Sequence, residues 1–223
     1  MPGSSRRLRT APLLAERADG LSPAFLALLA GEDLAGLTVL DVGTGRGRLA
    51  TALAPRCGRV VGIDLDPGAI EQARRSAAAN VEFIVADAEA TEYAVWAPDA
   101  VVAHLCMSDA IIERAGRALA RGGLVAFAAF HVDQWRETGR RSRFAYDEAH
   151  ARNALEAAGL AVEHVSVERE VREFTSVEAG LAAAVALEEK WKADGRWFHY
   201  IKFLEDGGRT LTRSHLHIKA RRR

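Results

Sequence analysis

Residues 39–50 read Val39-Leu40-Asp41-Val42-Gly43-Thr44-Gly45-Arg46-Gly47-Arg48-Leu49-Ala50, and an acid, Asp64, closes the next apolar run. Val39 to Val42 has the character of a buried strand, and Leu49, Ala50, Leu53 and Ala54 follow at helical spacing. Between them, Gly43, Gly45 and Gly47 make a tight turn, as needed where backbone bends sharply or a ligand comes close. Strand, glycine turn and helix start together predict a nucleotide-type ligand site at the carboxyl edge of a parallel sheet.

Spacing separates two ligand classes. A dinucleotide-binding turn has glycine at its first, third and sixth places. Counted from Gly43, the third place is Gly45 but the sixth is Arg48, which weighs against a nicotinamide or flavin enzyme. The chain instead has glycine at every second residue, preceded by Asp41. In this it resembles the class I S-adenosylmethionine-dependent methyltransferases, whose first motif is an acid followed by GxGxG. Further segments extend the resemblance: Arg59 to Asp64, a strand ending in an acid, then Leu65-Asp66-Pro67 with Pro67 suited to a first helical turn. Asn80 to Asp87 is a third strand ending in an acid, Pro98 to Leu105 a fourth, and Arg121-Gly122-Gly123 turns into a fifth. The family has lysine-proline where Ala120-Arg121 stands, and the glycine pair still supplies the turn. The resemblance is close over residues 37–130 and holds elsewhere in outline. It implies S-adenosylmethionine as cofactor, bound by Asp41, Gly43, Thr44, Gly45, Gly47, Asp64, Leu65, Asp87 and Ala88, with His104 a further cofactor-binding candidate. In that scheme Asp64 takes the ribose hydroxyls and Leu65 packs on adenine, while Asp87 and the Ala88 amide meet the edge of the base.

Composition narrows the partners. The 223 residues carry 30 lysines and arginines against 30 aspartates and glutamates, so no global field draws the chain to nucleic acid or membrane. The basic ends, Arg6, Arg7 and Arg9 and then Lys219 and Arg221 to Arg223, read first as solvated tails. Cys57 and Cys106 have neither metal spacing nor a disulfide framework and suit a reducing, cytoplasmic setting. No apolar run reaches the roughly 20 residues of a membrane helix, and no signal-peptide core is present.

Strand and helix patterns alternate along the chain, the signature of a parallel α/β sheet. Residues 11–31 carry helical spacing, with Ser22-Pro23 as a start. Ile70, Ala73 and Ala77 share a helical face that stops at Asn80, and Ile111, Ile112, Ala115, Ala118 and Leu119 line another helix, with Ser108 or Asp109 as N-cap. Residues 145–158 read as a helix closed by Gly159, and Leu160 to Val171 and Thr210 to Ala220 as strands. The expected fold is a Rossmann-like three-layer α/β/α sandwich with a seven-stranded, mostly parallel sheet. By resemblance its last strand is antiparallel. Residues 1–223 are read as one methyltransferase domain, with 176–206 a helical insertion that could cap the acceptor site.

Acceptor-side residues are less explicit. Methyl transfer from a sulfonium needs chiefly alignment, so a dedicated catalytic residue need not exist; a hydroxyl acceptor would add a base or a metal. After the fourth strand the chain has His104-Leu105-Cys106-Met107-Ser108, without the [DNS]-P-P-[YFW] motif of base-amine methylation. Cys106 lacks the preceding proline of a cytosine-C5 nucleophile and reads as a small buried side chain. His104 is either a cofactor contact, a base, or a hydrogen-bonded strand-end histidine. His131 and Trp135 are the substrate-facing candidates, against a surface-loop histidine and a loop anchor. Arg136, Arg140, Arg141 and Arg143, with Arg152 further on, could close over an anionic acceptor or be solvated. Trp197, Tyr200, Ile201 and Leu204 form a core stripe first, then a pocket wall or dimer surface. His215 and His217 share a strand face, and that pair needs a third ligand to bind a metal; none is expected. The function expected is methyl transfer to a small molecule; RNA or protein methylation and a non-catalytic cofactor-binding module are the rivals.

Overall fold

The computed structural model describes residues 20–223. Residues 11–19 of the first helical pattern and the N-terminal arginines lie outside the described residues. The sheet comprises β1 (Thr38–Val42), β2 (Arg59–Asp64), β3 (Val81–Val85), β4 (Ala100–His104), β5 (Leu124–His131), β6 (Ala145–Tyr146), β7 (Leu160–Glu173) and β8 (Thr210–Arg222). Their order is β3-β2-β1-β4-β5-β8-β7, with β6 paired to β5. Only β8 runs antiparallel to its neighbours, β5 and β7.

The central strands are buried on both faces, as parallel strands under helices must be. Alternation assigns their side chains. Leu40, Val42, Val61, Ile63, Val101, Ala103, Val125 and Phe127 pack with α4 (Asp109–Ala118) and α5 (Glu148–Ala157). Val39, Val60, Ala100, Val102 and Ala126 face α1 (Pro23–Ala30), α2 (Arg48–Leu53) and α3 (Pro67–Arg74). These are the three expected layers. Sequence order reverses between β1 and β4, and at such a switch point a crevice opens beyond the strand tips.

Caps follow the sequence. Ser22 accepts from Phe25 N–H at 3.2 Å, Asp66 from Gly68 N–H at 2.8 Å, and Ser108 from Ile111 N–H at 3.4 Å. Three expectations change. The sheet has eight strands, because Ala145 and Tyr146 extend along β5 (Phe130↔Ala145, His131↔Tyr146) instead of starting a helix. Asp147 is the N-cap that starts α5 later, accepting from His150 N–H at 2.8 Å. Helix α3 ends at Arg74, whose guanidinium donates to the Phe83 carbonyl, and leaves Ala77 exposed.

Residues β7 and β8 pair over thirteen positions and outrun the rest of the sheet, since β5 stops opposite His215. Beyond that point the ribbon is covered by α6 (Val177–Ala184), α7 (Glu188–Asp194) and α8 (Arg196–Glu205). Trp191, Trp197, Tyr200 and Leu204 are buried there with Trp135, so the aromatic stripe is a core.

Candidate cofactor and acceptor site

The glycine turn leaves β1 and faces the tip of β4. Gly43 sits at φ +68°, and a Cβ on it would lie 2.4 Å from both Cβ and Sγ of Cys106. Gly45 also has positive φ (+53°), but open space surrounds the position of its missing side chain. One glycine therefore admits the protein and the other leaves backbone accessible to a ligand. Gly47 is the N-cap of α2.

Asp41 braces this turn. It is 1% exposed and accepts from Thr44 Oγ1 at 2.6 Å and Ala50 N–H at 3.1 Å. Burial pushes its carboxyl up to about 7 despite those two bonds. Asp64, at the tip of β2, accepts from Gly45 N–H at 2.8 Å and Asp66 N–H at 2.9 Å, tying the second strand to the turn. Leu65 beside it is 68% exposed. Asp87 is exposed beyond β3, with one oxygen on Glu89 N–H at 2.8 Å, and the Ala88 carbonyl accepts from Tyr93 Oη–H at 2.7 Å. The open turn, the carboxylate and the bare leucine fit an adenosyl amino acid: polar at the bend, apolar at the adjoining tip.

His104 is held by α1. Its Nε2 accepts the Ser22 N–H at 3.2 Å, so that nitrogen is unprotonated, and its ring lies 6.0 Å from Phe25. Burial, then nearby His215, His217 and Arg48, lowers it to about 4. Cys106 is pushed up to about 12, first by burial, then by Asp64, Asp41 and Glu89. A thiol so raised is a packing element and no nucleophile.

From this turn a crevice continues into two cavities. The first, of about 390 Å³, lies between Ser22, His104, Leu105, Glu168, Arg213 and His215. The second, of about 410 Å³, is bounded by Leu105, Phe130, Trp135, Arg172, Leu187 and Arg213. Leu105 lines both and the space at the glycine turn, with φ +62°. Glu168, Glu170 and Arg172 alternate along β7, and register sets Glu168 opposite His215 and Glu170 opposite Arg213. In the sequence, only the i, i+2 charges within Glu168–Glu173 signal these residues.

Trp135 lines the second cavity, whereas His131 lies elsewhere. His131 is 5% exposed, with Nδ1 3.0 Å from Ser214 Oγ and Nε2 3.5 Å from Glu148 Oε2. It is neither exposed nor turned to the cavities, because β6 and β8 enclose the end of β5. The 132–144 loop is anchored by more than its tryptophan: buried Glu137 accepts from Thr212 N–H at 3.0 Å, and Gln134 Oε1 from Ser214 N–H at 2.5 Å. Arg136, Arg140, Arg141, Arg143 and Arg152 are all exposed. The cations bordering the cavities are instead Arg172, Lys190 and Arg213.

Asp41 and His104 carry opposite pH signatures. The unfolded histidine takes a proton near 6.5, the folded one only near 4, so this stability is lost as pH falls from 6.5 towards 4. Asp41 holds its proton up to about 7 when folded, against about 3.8 unfolded, so its contribution is lost as pH rises through 7. Relative to the parent, H104Q should gain about 1.4 kcal/mol per pH unit on acidification over that window, and D41N should lose as much. Urea titrations at several pH values measure both; parallel curves would contradict the assignments.

Sheet order, switch-point crevice and glycine turn define a Rossmann-like α/β fold of the kind found in the class I S-adenosylmethionine-dependent methyltransferases. Residues 39–123 match the family described as "Methyltransferase domain", and S-adenosylmethionine is the cofactor of this class. Aklanonic acid methyltransferase DauC of Streptomyces sp. (strain C5) is 34% identical over 110 residues, 44% of this chain and 50% of that protein. Ribosomal protein L11 methyltransferase of Edwardsiella ictaluri (strain 93-146) is 50% identical over 56 residues, 25% of this chain and 19% of that protein. The chain thus spans at most about half the length of these relatives. An S-adenosylmethionine-dependent methyltransferase of Mesorhizobium loti shares the fold, with TM-score 0.59 and 21% identity, over 92% of this chain and 100% of that one. No described helix is long and apolar enough to cross a membrane.

Proposed function

We propose that this protein transfers a methyl group to a small molecule held between the tip of β4 and the β7–β8 ribbon. The observation that supports it best is the path from the glycine turn, past His104 and Leu105, into cavities of about 390 and 410 Å³. Cavities of that size suit a drug-sized ligand. When bound, S-adenosylmethionine supplies a methyl group already activated by its sulfonium. Asp64 would hold the ribose hydroxyls, Leu65 one face of the adenine, Asp87 and the Ala88 amide its edge, and the Gly43–Gly47 turn the amino-acid end. Asp41 and Thr44 keep that turn in shape. Trp135, α6 and α7 wall the acceptor and help align it, the alignment on which such a transfer depends. We read residues 20–223 as one domain, with α6–α8 its cap.

The match to ribosomal protein L11 methyltransferase favours a second reading, a protein acceptor. The size of the cavities and the balanced charge favour the small molecule, and methyl incorporation into low-molecular-mass rather than protein fractions distinguishes the two. S-adenosylhomocysteine should raise the melting temperature and NADH should not, since only a ligand that prefers the native state stabilises it; a shift with NADH alone would overturn the cofactor assignment. Asp64→Ala should weaken S-adenosylhomocysteine binding by roughly 10–150-fold, the equivalent of about 1.5–3 kcal/mol for hydrogen bonds to a charged group. Calorimetric titration of a folded variant with parental affinity would remove Asp64 from the ribose site.

A further inference from the structure

We infer that Glu168, His215 and His217 form a binding site for a divalent first-row transition-metal ion in the wall of the first cavity. Strand register assembles it: Glu168 on β7 pairs with His215 on β8, and His217 follows on the same face. One donor atom from each residue lies within 4.8 Å of the other two. Both imidazoles are buried, His217 at 1% and His215 at 8% exposure. Ser22 Oγ stands 2.9 Å from Glu168 Oε2 and 2.9 Å from His217 Nε2, so two of the three donors already converge on one point. A bound ion would take that hydroxyl's place between them, with the imidazole lone pair turned to the metal.

Donor chemistry selects the ion. Two imidazole nitrogens and one carboxylate suit zinc, iron(II), cobalt(II) or manganese(II), whereas magnesium and calcium take all-oxygen sets. Three protein ligands leave positions open, as in metal sites that bind a further molecule. Glu168 and His215 line the cavity, so those positions face it. An oxygen of the cavity's occupant can complete the coordination, which makes a hydroxyl- or carboxylate-bearing acceptor the matching class; this last clause rests on the proposed acceptor site, while the metal site does not.

Cobalt(II) is the probe, because its visible absorption reports nitrogen and oxygen ligation at low coordination number. Chelator-stripped protein should bind one cobalt ion per chain with such a band, and excess magnesium should leave the band in place. His215→Ala and Glu168→Gln should each weaken binding roughly tenfold or more, whereas His199→Ala, on exposed α8 surface, should not. Glu168 is exposed, so its variant keeps the test open if a histidine variant fails to fold. Unchanged affinity in folded Glu168→Gln and His215→Ala, or displacement by magnesium, overturns the site. Absent cobalt binding in protein that still shows the S-adenosylhomocysteine melting shift also overturns it, and leaves the methyltransferase reading standing. Cobalt binding without that melting shift upholds the metal and removes the other.

Discussion

Gly43→Ala is expected to lower unfolding free energy by roughly 2–5 kcal/mol and to weaken S-adenosylhomocysteine binding with it. Two costs add. A side chain in the left-handed region costs about 1–2 kcal/mol, and overpacking a filled site about 1–3 kcal/mol more. The second applies because the new Cβ would stand 2.4 Å from Cys106 Cβ, which no rotamer moves away. Cys106→Gly removes that obstacle. Gly43→Ala in a Cys106→Gly background should therefore cost only the backbone part, and the difference between the two backgrounds is the steric term. Urea unfolding of the four proteins supplies both numbers. A Gly43→Ala protein within about 0.5 kcal/mol of the parent, the range of an indifferent surface change, would mean that β1 and β4 do not approach as described.

Trp191→Ala is expected to cost about 3–5 kcal/mol, the range for truncating a buried aromatic residue. Trp191 is fully buried and ties α7 to the 132–144 loop and α8, meeting Trp135 at 5.3 Å and Tyr200 at 5.6 Å edge-on and Trp197 at 6.4 Å tilted. Losing it opens a void between α7, α8 and the 132–144 loop and frees Trp135, which borders the second cavity. Trp191→Phe is the informative control. The indole Nε1 has no hydrogen-bond partner among the described residues, so phenylalanine forfeits volume and no bond. It should cost under about 1.5 kcal/mol, as near-conservative core exchanges do. Equal losses in the two variants would show the indole nitrogen to be engaged, and small losses in both would show that the aromatic cluster is loosely packed.

Residues 39–131 were legible because every element there carries a local signal. The strands are largely apolar runs, β1 to β3 lead into a glycine or an acid, and α3 and α4 start at Asp66 and Ser108. Errors arose where one local signal admits two partners. Ala145 and Tyr146 fit a helical stripe, yet the free edge of β5 past the end of β4 claims them as β6. His131 ends a strand at the expected carboxyl edge, but β6 and β8 close round it. The arginines of the following loop are exposed, while Glu137 and Gln134, unremarkable in sequence, hold that loop to β8.

By itself the sequence determined the alternating α/β order, the glycine bend after β1, and the acids at the tips of β2 and β3. Those features depend on neighbours a few residues away, through backbone sterics, capping and hydrophobic period. Only the tertiary structure decided what faces what across the crevice. Glu168 and His215 are 47 positions apart along the chain by their residue numbers, and antiparallel register alone makes them neighbours. Likewise, Ser22 reaches Glu168 and His217 because α1 packs over the β8 face. Such pairings are set by how layers close on a shared core, and no short window of residues encodes that.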